Sequence, residues 1–305
     1  MDDRAGAPAP APASSRPISH QEVEMILVAG ATGTVGREVV AQLVAAGERV
    51  RAMTRDPGRA KFDAKVEVVA ADLDEPETLE KALAGVDRVF ALSTGPQLGV
   101  HDANLARAAK KAGARHLVKL SVLGAGGEAR NVIVLWHEAG EKAIQESGLA
   151  WTFVRPGMFM SNALNWARTV KSQGKVFANY REGKVPPIHP RDIAAVAVAA
   201  LTSGGHEGKS YLLTGGEALS MNEQVQILSE VVGRPIEFVP ISDDAARDGM
   251  LKAGMPPLLV EAIVDIGGSI RSGKASEVLP TVEQVLGRKP LTWADWAREN
   301  VAAFR

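Results

Sequence analysis

The stretch Met25-Ile26-Leu27-Val28-Ala29-Gly30-Ala31-Thr32-Gly33-Thr34-Val35-Gly36 decides the fold. Its first five residues form a near-continuous apolar run, as a strand buried on both faces requires. Val35, Val39, Val40, Leu43 and Val44 then recur at helical spacing, and Gly47 closes the helix they predict. Three glycines stand at the junction. Gly30 permits a tight turn, Gly33 lets a backbone approach a diphosphate, and Gly36 allows the helix to pack close against the strand. The helix start adds free N–H groups and the positive end of a dipole. The spacing is G-x-x-G-x-x-G, where the usual dinucleotide fingerprint is G-x-G-x-x-G. On a strand–turn–helix it still points to a dinucleotide, with Gly30, Thr32, Gly33, Thr34, Val35 and Gly36 as contacts.

The same rhythm continues downstream. Residues 49–54, 66–70, 88–92, 116–121 and 151–154 read as further strands. Helical patterns lie between them, at 101–111 and 138–146 and in a short helix opened by Asp74-Glu75-Pro76, whose carboxylates favour the positive end. Repeated βα units of this length predict an α/β fold, a Rossmann-like doubly wound parallel sheet with right-handed crossovers. Past Pro156 the rhythm loosens. Asp192 reads as the N-cap of a helix carrying Ile193, Val196, Ala197 and Leu201. Ser220-Met221-Asn222-Glu223 is a capping box ahead of Val225, Ile227 and Leu228, and residues 235–240 read as a short strand. The expected organisation is a dinucleotide-binding core over 23–156 and a smaller, mainly helical substrate lobe over 157–305. The cleft should lie between them, at the carboxyl ends of the strands.

Composition narrows the function. Over 305 residues, 35 Lys and Arg face 36 Asp and Glu, a net charge of −1, so no basic stripe is available for nucleic acid. Cys is absent, which excludes disulfides, thiolate metal sites and Cys nucleophiles. The six histidines show no metal-ligand spacing, and no G-x-S-x-G elbow occurs. Residues 1–22, with alternating Ala and Pro, are expected to be a disordered tail and lack the apolar segment of a secretory signal. No apolar run approaches bilayer length, so a cytoplasmic protein without membrane contact is expected.

The ribose end can be read next. A carboxylate at the end of the second strand usually marks NAD. This chain has Thr54-Arg55 there, and a guanidinium suits a 2′-phosphate, which favours NADP with NAD possible. The alternative has Asp56 on the ribose and Arg55 in solvent. Asp72-Leu73 can line an adenine pocket, or Asp72 can stabilise its own turn. Leu92-Ser93-Thr94 ends the fourth strand where the nicotinamide ribose would lie, unless its hydroxyls are satisfied locally. Pro156-Gly157-Met158-Phe159 should carry the chain past the nicotinamide. Phe159, Met160, Asn162 and Trp166 would line a pocket for a flat ligand, although Met and aromatics at such spacing commonly form plain core.

Together the glycine segment, Thr54-Arg55-Asp56-Pro57, Ala71-Asp72-Leu73, residues 137–142, residues 147–157, residues 188–194 and the C-terminal segment from Trp293 to Phe304 resemble the NmrA-like family of atypical short-chain dehydrogenases. The resemblance covers the chain from Met25 onward. It implies a Rossmann-like core, dinucleotide binding and a substrate cleft under the C-terminal lobe. The family includes NAD(P)H-dependent quinone reductases, natural-product tailoring enzymes and non-catalytic redox sensors. The implied activity is hydride transfer to a small quinone or flat aromatic ketone, by a monomer or homodimer. A sensor without turnover, or an oxygenase acting on an aromatic polyketide, are the alternatives.

Ordinary short-chain dehydrogenases use Tyr-x-x-x-Lys. Neither Tyr180 nor Tyr211 has Lys four residues on. His137-x-x-x-Glu141 occupies the matching helix instead. One helical turn apart, Glu141 would orient the imidazole and raise its pKa, making His137 a proton donor near neutral pH, unless the two are a surface pair on an amphipathic helix. Ser121 matches the family position of a serine beside the substrate. Lys119 shares its face, with no assigned role, and His189 reads as a packing or capping residue.

Overall fold

A computed structural model describes residues 24–128 and 131–305, so the expected tail lies outside the described residues. The first half runs β1 (Met25–Val28), α1 (Thr34–Ala45), β2 (Arg49–Thr54), β3 (Glu67–Ala70), α2 (Pro76–Ala82), β4 (Arg88–Ala91), α3 (Leu98–Ala112), β5 (His116–Leu120), α4 (Val132–Glu146) and β6 (Ala150–Pro156). The second half adds α5 (Ala167–Gln173), β7 (Lys175–Ala178), β8 (Lys184–Val185), α6 (Pro190–Thr202), β9 (Lys209–Leu213), β10 (Leu219–Ser220), α7 (Met221–Val232), β11 (Glu237–Pro240), α8 (Asp243–Lys252), α9 (Pro257–Arg271), α10 (Thr281–Leu286) and α11 (Trp293–Glu299).

Seven strands form one sheet in the order β3-β2-β1-β4-β5-β6-β9, and every pair in it is parallel. The chain winds outward from β1 one way and from β4 the other, which opens a crevice beyond the carboxyl ends of those two strands. Both faces are covered. Ile26 and Val28 of β1 pack with Val35, Val39 and Leu43 of α1 and with Ile193, Val196 and Ala197 of α6. Met25 and Leu27 face the opposite way, toward Leu79 of α2, Leu105 of α3 and Ile144 of α4. This explains the unbroken apolar run: with side chains alternating and each face buried, no position faces water. A separate core gathers Met160, Val170, Val225, Leu228, Trp293, Trp296 and Phe304 in the C-terminal lobe.

The sheet reaches further along the chain than residue 156. Its seventh strand is β9, and α6 covers the same face as α1, so the second half completes the parallel layer as well as building the lobe. Asp192 does not cap α6. The N-cap is His189, whose Nδ1 accepts from the Arg191 N–H at 3.1 Å. Pro190 at the first helical position shifts the start three residues earlier than the Asp suggested. Asp192 is instead fully buried, paired with Arg288 at 2.7 Å and accepting from the Leu291 N–H at 2.7 Å, which ties the C-terminal segment to α6. The capping box at Ser220 and Glu223 is present. Among the described residues no helix is long and apolar enough to cross a membrane.

Candidate active site

The glycine turn is built as its spacing predicts. Gly30 has φ +68°, and a Cβ there would lie 2.8 Å from the Leu92 carbonyl oxygen at the end of β4. A Cβ on Gly36 would fall 2.1 Å from the Gly30 carbonyl oxygen, so only glycine lets α1 start this close to the turn. Gly33 differs: the same test meets only the Gly30 oxygen, at 3.3 Å. Gly33 is the N-cap of α1, and no side chain caps that helix. Thr32, Gly33 and Thr34 are exposed, while Val35 and Gly36 are buried beneath them. An uncapped twelve-residue helix opening on an exposed glycine turn is a fitting cradle for a diphosphate. Arg37, which the sequence reading passed over, folds back so that its Nε donates to the Thr32 carbonyl at 2.8 Å. Its only signal was its place directly after the third glycine.

The end of β2 separates the two ribose readings. Asp56 Oδ1 accepts from the Gly58 N–H at 3.1 Å and caps a short 3-10 turn, while the Asp56 N–H donates to Thr54 Oγ1 at 3.3 Å. Arg55 is exposed, and no carboxylate among the described residues pairs with it. Asp72 also works locally, with Oδ1 accepting from the Asp74 N–H at 3.1 Å, and the Leu73 carbonyl is held by Asn104 Nδ2 at 3.0 Å. Leu92 is partly buried and Thr94 exposed. The Ser93 hydroxyl turns inward, away from the expected ribose, and donates to Asp102 Oδ1 at 2.6 Å.

That bond belongs to a buried polar cluster. Lys119 Nζ lies 2.5 Å from Asp102 Oδ2, and both side chains are essentially without solvent contact. Gly140 of α4 makes room for the pair, since a Cβ there would fall 2.1 Å from Asp102 Oδ2. A second cluster lies beside it. Ser121 Oγ donates to Glu141 Oε1 at 2.5 Å, and Arg155 clamps the same carboxylate through Nε at 2.8 Å and Nη2 at 2.5 Å.

These contacts correct the expected His137–Glu141 pair. Glu141 is occupied by Ser121 and Arg155, so the Ser121 proton is committed to it as well. His137 Nδ1 is buried with no partner. Burial, and then the positive charge of Lys119, lower the His137 pKa to about 3, the opposite of the expected rise. His137 is therefore a neutral imidazole at physiological pH. The other described histidines have local partners: His101 with Asp74, His116 with Thr152, His189 in its cap and His206 with Tyr211. His137, Gly140, Glu141 and Ile144 share the inward face of α4 by helical spacing. Because α4 runs back from the end of β5, its first turns lie at the carboxyl edge of the sheet, and His137 is in them.

The segment after β6 crosses this edge under restraint. Gly157 N–H donates to the Leu213 carbonyl at 2.9 Å, Ile188 N–H donates to the Met158 carbonyl at 2.8 Å, and Met160 N–H donates to the Ile188 carbonyl at 2.9 Å. Met158 and Phe159 are partly buried and Asn162 is exposed. Met160 belongs to the lobe core at 2 % exposure, and Trp166 packs on Trp293 with ring centroids 6.0 Å apart. Met160 lies inside the lobe core, and Trp166 packs against it while staying partly exposed.

Comparison with known proteins agrees with this geometry. The NAD(P)H-binding family profile matches residues 30–204. The (4-alkanoyl-5-oxo-2,5-dihydrofuran-3-yl)methyl phosphate reductase of Streptomyces griseus is 44 % identical over 282 residues, covering 92 % of this chain and 99 % of the relative. The NAD(P)H azoreductase of Xenophilus azovorans is 42 % identical over 283 residues, with the same coverage. Among solved structures, the Citrobacter triphenylmethane reductase complexed with NADP(H) superposes with a TM-score of 0.78 at 28 % identity, covering 91 % of this chain and 99 % of that one. The NADPH-dependent quinone oxidoreductase of Escherichia coli complexed with NADPH gives 0.79 at 25 % identity, covering 90 % and 99 %. Glycine turn, parallel sheet and relatives converge: the chain belongs to the NAD(P)H-binding family and is an NAD(P)H-dependent oxidoreductase.

Proposed function

We propose that the protein is an NADPH-preferring reductase of flat, conjugated small molecules, either quinones or conjugated ketones, with a place in natural-product tailoring. The observation that carries the reading is the unpaired Arg55 guanidinium at the end of β2, beside the uncapped start of α1. Together they offer a diphosphate site and a separate cation for a 2′-phosphate. Bound there, the dihydronicotinamide would supply a hydride.

The protein's own residues do the rest. Arg55 and the glycine turn hold the coenzyme's anionic end, with Arg37 alongside. The backbone at Leu92 and Thr94 and the restrained segment Gly157–Phe159 border the nicotinamide, with Leu73 and Asp72 at the adenine. Phe159 and Asn162 face the acceptor. His137 serves as a neutral hydrogen-bonding group toward the acceptor's oxygen, not as an imidazolium acid. Ser121 acts on α4 through Glu141 and Arg155, fixing the helix that carries His137. The names of the two relatives above 40 % identity support the acceptor class, since one describes a conjugated oxo-dihydrofuran and the other an azo group. The same proposal divides the labour between a core over 23–156, completed by α6 and β9, and an acceptor-binding lobe made by the rest of 157–305.

The test is steady-state loss of dihydronicotinamide absorbance with a panel of quinones and conjugated ketones. Turnover with NADPH, and its loss in His137→Ala without loss of coenzyme affinity, is the expected result. Full activity in His137→Ala removes His137 from the mechanism. Tight NADPH binding with no acceptor reduced would point to a sensor.

A further inference from the structure

Tyr180 stands on the loop between β7 and β8, in the C-terminal lobe, partly buried against that lobe's core. A phenol removed from water ordinarily finds an oxygen or nitrogen partner. Here the Tyr180 hydroxyl lies 3.7 Å from Met158 Sδ, a weak acceptor, and no oxygen or nitrogen among the described residues accepts from it. Met158 belongs to the segment that crosses the carboxyl edge of the sheet. The hydroxyl thus points from the lobe to the place where the proposed acceptor would lie.

The loop is built to hold it there. Asn179 Nδ2 donates to Asp243 Oδ1 at 2.7 Å, and Arg271 Nη1 donates to the Asn179 carbonyl at 2.7 Å while pairing with Asp243. A Cβ on Gly267 would fall 2.6 Å from Asn179 Nδ2, and one on Gly183 would fall 2.2 Å from the Ile270 carbonyl oxygen. Glycine on each side therefore lets the loop sit directly on α9. Such fixing of a residue whose hydroxyl has only a thioether for company is costly unless the hydroxyl meets something better.

We infer that Tyr180 is the lobe-side catalytic hydrogen-bond donor, exchanging the Met158 thioether for the carbonyl oxygen of the bound acceptor. The inference rests on the proposed reduction of a quinone or conjugated ketone. In that reaction the acceptor gains the hydride and its electron pair from the reduced coenzyme. The carbonyl π pair moves onto oxygen, and that oxygen then takes a proton from water. The Tyr180 hydroxyl faces the charge developing on the oxygen. Burial raises its pKa, so the phenol keeps its own proton and acts as a donor throughout.

The experiment uses the full-length protein and Tyr180→Phe, which removes one oxygen and leaves the ring. A quinone is first titrated into the enzyme–NADP⁺ complex, where both partners are oxidised and nothing reacts. The variant should bind the quinone about tenfold more weakly, with NADP⁺ affinity unchanged. Difference infrared should show the bound carbonyl stretch moving to higher frequency. Turnover is then measured with NADPH on a quinone and on a triarylmethyl cation, which accepts hydride but has no oxygen to stabilise. The variant should lose at least about tenfold in kcat on the quinone and keep its rate on the cation. Equal losses on both acceptors, or an unchanged quinone affinity and carbonyl stretch, would overturn the inference. If the wild-type protein binds NADPH but reduces neither acceptor, the proposed reaction fails, and the role of Tyr180 with it.

Discussion

The two sides of the switch point are built by opposite means. On the β1–β2 side the site is made of missing side chains: Gly30, Gly33 and Gly36 expose backbone, and the charge comes from a helix end and a free guanidinium. On the β4–β5 side it is backed by polar side chains drawn into the protein, with Ser93, Asp102 and Lys119 in one cluster and Ser121, Glu141 and the partly buried Arg155 in the next. A backbone cradle needs only local sequence, because turn and helix are consecutive. A buried polar cluster needs partners from three or four separate elements, and each of its members is costly to leave alone.

That difference predicts where the protein is most fragile. Lys119→Met would leave the Asp102 carboxylate buried beside a hydroxyl alone, and the expected loss is about 3–5 kcal/mol in urea unfolding. Replacing both residues, as in Asp102→Leu with Lys119→Met, should recover most of that stability. A single substitution with no effect would show that the pair is solvated and that the two sides are less different than the packing indicates.

The glycines offer the next contrast, inside a single turn. Gly36→Ala places a methyl 2.1 Å from a backbone oxygen that cannot move without shifting β1. Helix α1 must retreat, and a displacement near 1 Å at such a site costs about a hundredfold in function. Calorimetry with NADPH should therefore record a large loss for Gly36→Ala, together with a lower melting temperature. Gly33→Ala meets only a 3.3 Å contact, so its melting temperature should hold while coenzyme affinity falls by less. Equal melting temperatures for the two variants would show that Gly36 has no packing role.

The same distinction governs what could be read in advance. The unbroken apolar run of β1 and the three glycines are adjacent in sequence, and their geometry follows from local rules. Glu141 was assigned to His137 because the two share a helical face, and that much is true. The stronger competitors were Arg155, fourteen residues later on β6, and Ser121 on the preceding loop, which only the fold brings within reach. Lys119 shows the same limit. Alternation placed it on the face of Ser121, but nothing in the local sequence shows that Asp102 of α3 comes to meet it beneath Gly140. Asp192 looked like a cap because caps and buried anchors use the same residue type, and its partners Arg288 and Leu291 lie almost a hundred residues away. The seventh strand escaped notice for a plainer reason: β9 at the sheet edge has a mixed burial pattern and lacks the apolar run that marks the central strands.

Cofactor choice sharpens the backbone side. Arg55→Glu removes the free cation and adds a like charge where a 2′-phosphate would lie. NADPH should weaken by about 2–3 kcal/mol, with NADH little changed, when both are titrated under the same salt conditions. Equal weakening of both coenzymes would show that the residue reads something common to them, and Arg37 would become the better candidate for the 2′-phosphate.

The smallest expected effect tests the buried side through pH. An unfolded His titrates near 6.5, whereas His137 in the folded protein takes its proton only near pH 3, because burial and Lys119 oppose the charge. Between those two values the unfolded chain binds a proton that the folded one refuses, so stability falls as pH falls and no such penalty exists above pH 6.5. At pH 5 the part due to His137 should be about 1–2 kcal/mol. His116, His189 and His206 are lowered by burial too and contribute to the same slope, so the readout is the difference between the wild type and His137→Gln. The variant's melting temperature should decline less steeply from pH 6.5 to pH 4. Parallel curves would mean that the imidazole reaches water in the folded protein, and the neutral group proposed to meet the acceptor would then titrate as the sequence first suggested.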